Sequence, residues 1–177
     1  MIEIISAQDG ETLEQFIALS QEYLTWMLEE IQEHYPHLDI KEFTSEHDYD
    51  DLRKKFPGDH VPPDGCLLIA SSEDGVCGCV ALGRLTKDIC EMRTLFVRPE
   101  FRGEGVGKKL AEASIGEARK FGYSYMRLDT LGFMNSALSL YRSLGFFDIE
   151  PYRVMSDSLR KYVCFLELKL TNSRDKF

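Results

Sequence analysis

Apolar residues recur at helical spacing near the N-terminus, in near-continuous runs through the middle of the chain, and at helical spacing again after residue 100. Ile2 to Ile5 reads as a short strand. Leu13, Phe16, Ile17, Ser20, Leu24, Met27, Leu28 and Ile31 then trace one face of an amphipathic helix, with Asp9 at the N-cap and Pro36 beyond its end. Ser45 followed by acidic residues predicts a second helix reaching about Phe56, where Pro57-Gly58 stops it. Val61-Pro62-Pro63-Asp64-Gly65 is a rigid turn segment.

Cys66 to Ala70 and Val76 to Leu85 are apolar runs joined by the hairpin-type turn Glu73-Asp74-Gly75. Thr86-Lys87-Asp88 turns the chain into a third run, Ile89 to Val97, and Pro99 ends pairing because it lacks an amide donor. The pattern then switches. Val106, Leu110, Ala113 and Ala118 share a helical face, with Gly122 suited to the left-handed position after its end. Ser124 to Thr130 is a strand, and Ala137, Leu138, Tyr141 and Leu144 mark a helix ended by Gly145. Phe146 to Ile149 and Tyr162 to Leu170 are strand-like, and Thr171 to Phe177 reads as a frayed tail. The sum is an α/β chain with a mixed sheet and helices on both faces. No internal repeat or linker divides it, so residues 1–177 are expected to form one domain.

The length of 177 residues suits that domain with a proper core. A net charge of -9 argues against a nucleic-acid partner, which needs clustered Lys and Arg. The same charge favours a cationic substrate by steering, or simply maintains solubility. No basic stretch leads into an apolar core, and no apolar run approaches the roughly 18 residues of a membrane span, so a soluble cytoplasmic protein is expected. The cysteines, Cys66, Cys77, Cys79, Cys90 and Cys164, are odd in number and lack a C-x-x-C pair. They read as buried free thiols in a reducing compartment, not as zinc ligands. His34, His37, His47 and His60 read as solvated loop residues, so no metal is expected.

Chemistry concentrates at Arg102-Gly103-Glu104-Gly105-Val106-Gly107. Three glycines between a strand and a helix let the backbone adopt positive φ and approach a ligand closely. The free amides and dipole of the helix's first turn favour a phosphate there, and Arg102, Lys108 and Lys109 add positive charge. A flexible turn with incidental basic neighbours is the plain alternative. A P-loop does not fit: Gly103 and Gly107 stand one residue too close, and Lys109 replaces the hydroxyl that would hold magnesium. The dinucleotide fingerprint fails as well, since Lys108 stands where its last glycine belongs.

With strand, loop and helix in place, residues 89 to 149 resemble the GNAT superfamily of acyl-CoA N-acyltransferases, as in a small single-domain member of bacterial type. The likeness rests on R/Q-x-x-G-x-G/A at Arg102 to Gly107, preceded by Leu95-Phe96-Val97-Arg98-Pro99. A second segment matches at Asn135, Ala137-Leu138, Leu140-Tyr141 and Leu144-Gly145-Phe146. Residues 1 to 65 match only in being helical, the region where this superfamily varies its acceptor pocket. The resemblance implies a mostly antiparallel sheet splayed between strands 89–97 and 124–130. Acetyl-CoA is the implied co-substrate, its pantetheine pairing with the backbone of Leu95, Phe96 and Val97. Its pyrophosphate would lie on the loop: Arg102, Gly103, Gly105, Val106, Gly107 and Lys108.

Residue roles follow from the same likeness. Tyr141 matches the general acid; a phenol near pKa 10 stays protonated at neutral pH and can donate to a departing thiolate. Its apolar face fits core packing equally well on spacing alone. Asn135 matches a pantetheine ligand, and also reads as a helix N-cap or first-turn residue. Glu91 matches the general base of the lysine-acetylating members, against a plain exposed strand position. An amide near Leu95 would stabilise the oxyanion. Asp129 reads as a loop-capping carboxylate, and Trp26 as core, with a wall of the acceptor pocket as its alternative. Pro151 to Lys161, with Arg153, Arg160 and Lys161, reads as a solvated loop.

The expected reaction is acetyl transfer from acetyl-CoA to a primary amine of a small molecule, by direct attack in a ternary complex. Acetylation of protein lysines or N-termini is the variant, and a non-catalytic acyl-CoA sensor or a nucleotide-binding protein the competitors. A homodimer is common among members of the superfamily.

Overall fold

The computed structural model describes residues 1–41 and 52–170. The expected second helix and the C-terminal tail lie largely outside the described residues. Strand β1 (Glu3–Ser6) leads into helix α1 (Gly10–His34), and a single turn, α2 (Leu52–Lys55), precedes the meander. That meander is β2 (Cys66–Ser72), β3 (Gly75–Arg84) and β4 (Ile89–Val97). Helix α3 (Val106–Lys120) crosses to β5 (Tyr125–Leu131), and α4 (Asn135–Ser143) follows. The short β6 (Phe147–Asp148), a turn of helix α5 (Asp157–Arg160) and β7 (Val163–Lys169) complete it. Asp9 is the N-cap of α1, but its side chain caps nothing; instead the Thr12 hydroxyl donates back to the Asp9 carbonyl at 2.8 Å.

The seven strands form one sheet in the order β1-β2-β3-β4-β5-β7-β6, antiparallel except at β4–β5. Alternation along β2 shows why the central strands read as continuous apolar runs. Cys66, Leu68 and Ala70 join the core under α3, while Leu67 and Ile69 join the core under α1. Both faces are covered, so both sets of side chains must be apolar. Four cysteines are buried and Cys164 is half-buried; none is bonded to another. Burial pushes the Cys66 and Cys90 thiols up to about 12, which leaves them unreactive at neutral pH.

His60 departs from the solvated reading. Only 6% exposed, it packs on Phe56 at 5.1 Å between centroids, and its Nδ1 lies 3.1 Å from the Pro57 carbonyl. Burial and then the Arg93 charge push its pKa down to about 4. An unfolded imidazole, near 6.5, binds a proton in the interval where the folded one does not. Stability from this residue is therefore complete above pH 6.5 and lost as pH falls from there toward 4. We expect wild type to lose about 2 kcal/mol through His60 between pH 7 and 4.5. Denaturant titrations at both pH values should show that part of the loss missing in His60→Gln.

Candidate functional site

The site originates in the way β4 leaves its neighbours. Strands β4 and β5 are paired only at Ile89–Tyr125, Cys90–Met126 and Glu91–Arg127; beyond Glu91 they share no rung. On its other edge β4 slips by one residue against β3, between the pairs Ala81–Arg93 and Cys79–Phe96. Thr94 occupies this bulge with φ at +54°, the one non-glycine residue in the left-handed region among the described residues. The extra residue switches the strand's alternation. Cys90 and Met92 point to the α3 core before it, whereas Phe96 points to the α1 core after it.

The splay opens a cleft of about 700 Å³ between β4, β5, α1, α3 and α4. It is lined by Leu95, Phe96, Val97, Arg102, Gly103, Gly105, Val106, Gly107, Lys108, Asn135 and Tyr141 together. Every residue expected to hold the cofactor thus faces one space, with the expected acid. At one end stands the glycine loop. Gly103 and Gly105 have φ of +84° and +80°, with Gly105 as the N-cap of α3. Gly107 does not need a positive φ, contrary to expectation; it lies in the first turn, where an added Cβ would meet Val97 and Leu140 at ordinary contact distances. The first rung of α3 runs from the Lys109 amide to the Gly105 carbonyl, so the amides of Val106, Gly107 and Lys108 precede the helical ladder. They face an anion-sized site with the helix dipole behind them.

Arg102 spreads over the Trp26 ring at 4.6 Å and donates from Nε to the Val97 carbonyl at 3.0 Å. Trp26 is therefore half-buried, packed against the core under α1 and at the same time a wall of the cleft. Asn135 is the first residue of α4, Met134 being its N-cap, and lies exposed on the cleft wall. Tyr141 is 7% exposed, tilted against Phe146 at 5.8 Å between centroids. It is a core side chain that also reaches the cleft. Burial, reinforced by the Asp129 charge, pushes its phenol up, so it holds its proton throughout the neutral range.

A second, smaller cavity of about 180 Å³ adjoins the first. Tyr23, Met92, Arg93, Thr94, Asp129, Thr130 and Met134 line both. Its other walls come from α1, α2 and the segment around Arg153 to Leu159. Glu91 faces this space and is 1% exposed, which overturns the reading of a plain exposed strand residue. Its carboxylate pairs with Arg93 and Arg153 and accepts from the Tyr152 hydroxyl at 2.9 Å. The Arg153 Nε also lies 3.1 Å from Asp129. The Pro151–Lys161 segment is thus no mere solvated loop: Tyr152 and Arg153 enter the site. Asp129 sits within β5, opposite Phe165, and pairs with Arg153.

Lys55, Arg93 and Tyr152 were not singled out in the sequence. Arg93 had a readable signal, the period-two spacing from Glu91 that places both on one strand face. Tyr152 and Arg153 meet Glu91 across some sixty positions, with no local pattern to announce it. His34 and His37 are exposed, as expected, but both make contacts. His34 ends α1 and stacks on Phe133 at 4.2 Å, and His37 contacts the Tyr162 hydroxyl at 2.8 Å. These contacts fasten α1 over the cleft; His47 lies outside the described residues. Among the described residues no group of three His, Cys, Asp or Glu side chains is arranged to hold a metal ion.

Comparison with known proteins agrees with this geometry. The model of the Acetyltransferase (GNAT) family matches residues 21–146. An uncharacterized N-acetyltransferase from Dictyostelium discoideum is 48% identical over 82 residues, 46% of this chain and 37% of the relative. One from Schizosaccharomyces pombe is 45% identical over 93 residues, 51% of this chain and 57% of the relative. The chain thus spans only about half the length of these curated relatives. Among solved structures, yncA from Salmonella typhimurium, determined with its cofactor acetyl-CoA, has a TM-score of 0.60 at 19% identity, covering 96% of this chain and 94% of its own. A family match over most of the chain, on a sheet that splays where the glycine loop requires it, establishes that this protein belongs to the GNAT acetyltransferase family.

Proposed function

We propose that the protein is an acetyl-CoA-dependent N-acetyltransferase that acetylates a primary amine of a small molecule in a ternary complex. The observation that carries this reading is the pair of adjoining cavities: a long cleft ending at a glycine loop, and a smaller one meeting it at Thr94 and Asp129. The cleft suits an extended donor with an anionic end, and acetyl-CoA is the cofactor of the similar yncA. Pantetheine would lie along the unpaired edge of β4 at Leu95 to Val97, with Asn135 opposite and the pyrophosphate on the loop amides. Arg102 would then exchange the Val97 carbonyl for the ligand.

In this arrangement the neutral amine nitrogen attacks the thioester carbonyl and forms the new C–N bond. The oxyanion is stabilised by a backbone amide near the Thr94 bulge. The C–S bond breaks, Tyr141 gives its proton to the departing sulfur, the amine's surplus proton passes to solvent, and a solvent proton restores the Tyr141 phenol. Tyr141 favours catalysis over a sensor that merely binds the donor. The small volume of the adjoining cavity, about 180 Å³, favours a small acceptor over a protein lysine. A reducing cytoplasmic setting suits five unbonded cysteines.

The test is release of free CoA thiol from acetyl-CoA over a panel of amines, with Tm measured in parallel. Amine-dependent release is expected, with Tm raised by acetyl-CoA. A raised Tm with no release from any amine would identify a sensor; stabilisation by ATP in place of acetyl-CoA would revive the nucleotide reading.

A further inference from the structure

The smaller cavity carries a charge arrangement that the transfer chemistry does not use. Lys55, Arg93 and Arg153 converge on it, in a protein of net charge -9. Two carboxylates face them, Glu91 and Asp129, and both are already engaged. Glu91 is shared between Arg93 and Arg153, and Asp129 pairs with Arg153. Among the described residues, Lys55 has no carboxylate within ion-pair distance; its Nζ lies 5.5 Å from the centroid of the Phe56 ring. Three cations face two carboxylates among the described residues lining this cavity of about 180 Å³, an excess of one positive charge.

Like charges gathered in a partly desolvated space repel one another, and the arrangement becomes favourable when an anion joins it. Burial, then Arg93 and Arg153, pushes the Lys55 ammonium below its ordinary pKa, so the strain falls on the same group. The cavity is also polarised along its length. Thr94, Asp129 and Thr130 line both the smaller cavity and the donor cleft, whereas Lys55 lines only the smaller one. An acceptor amine must reach the junction, next to Asp129. Any second group directed away from the donor meets Lys55, and Arg93, which lines both cavities, can reach it from the junction side.

We infer that the acceptor is a small zwitterion, an amine carrying its own carboxylate, with the amine at the Asp129 junction and the carboxylate bound by Lys55 and Arg93. Resting on the acetyltransferase reading above, this narrows its acceptor to amino-acid-like molecules. Glu91 and Tyr152 position the arginines and do not touch the acceptor.

The experiment compares, on the wild-type enzyme, kcat/KM for free amino acids with that for their α-carboxamides and decarboxylated amines. At least one amino acid should exceed both of its counterparts lacking the carboxylate by about tenfold or more, the scale of a charge-assisted hydrogen bond. Lys55→Gln should shrink that ratio through KM, and Lys55→Arg should retain most of it. Equal turnover of the three forms would overturn the zwitterion proposal and leave the acetyltransferase reading standing. No thiol release from any amine would overturn that reading, and the proposal with it. A wild-type ratio that survives unchanged in Lys55→Gln would overturn the assigned site.

Discussion

Tyr141→Phe is expected to lower kcat by about 100-fold or more, the usual contribution of a positioned general acid. The acetyl-CoA Kd should remain unchanged. Phenylalanine fills the same volume, so the packing against Phe146 and the fold are retained. Only the hydroxyl, and with it the transferable proton, is removed. Burial raises the phenol's pKa, which ensures that it is protonated but also makes it a weaker acid. The same apolar surroundings raise the basicity of a thiolate generated beside it, so the proton still has a receptive partner. Single-turnover kinetics separate the chemical step from product release, and equilibrium titration gives the Kd. Turnover equal to wild type would remove Tyr141 as the acid and return it to the core.

Glu91→Gln should be the most destabilising single change in the site, at about 3 to 5 kcal/mol, because it leaves two guanidinium groups facing a neutral amide in a buried place. The expected consequence is a lower denaturant midpoint and a higher acceptor KM, with the acetyl-CoA Kd little changed. The variant also separates two roles for this carboxylate. A base must offer a free lone pair to the amine and be ready to accept its proton. Glu91 instead accepts from Tyr152 and pairs with two arginines, which stabilise the ionised form and occupy its oxygens. As an anchor, its replacement leaves the shape of the pH dependence of kcat/KM intact. Loss of the acidic limb of that profile, in a variant still folded, would instead restore Glu91 as the base.

The cofactor side of the molecule was legible in the chain because its determinants are contiguous. Arg102 to Gly107 encodes two left-handed glycines and a helix start within six positions, and the preceding apolar run marks the strand that must lead into it. Helix α4 was legible for the same reason: one apolar face, then a terminating glycine. The acceptor side was not. Lys55 comes from the turn after residue 51, Arg93 from β4, and Arg153 from a segment with no periodicity. Each is ordinary by itself, since a charged residue in an irregular stretch is usually solvated. Trp26 was half legible for a related reason, because helical periodicity shows which face of α1 turns inward but not that Trp26 meets both a core and a cleft.

By itself the sequence determined the order of strands and helices, the phosphate-ready loop at Arg102 to Gly107 and the family to which these belong. Those features are set by hydrophobic period, by turn chemistry and by backbone conformations that glycine alone adopts readily. Only the tertiary structure decided where β4 parts from β5, how the bulge at Thr94 switches the strand's faces, and which charges meet around Glu91. These depend on contacts between residues far apart in the chain, where burial converts neighbouring charges into a linked set whose members have no meaning singly.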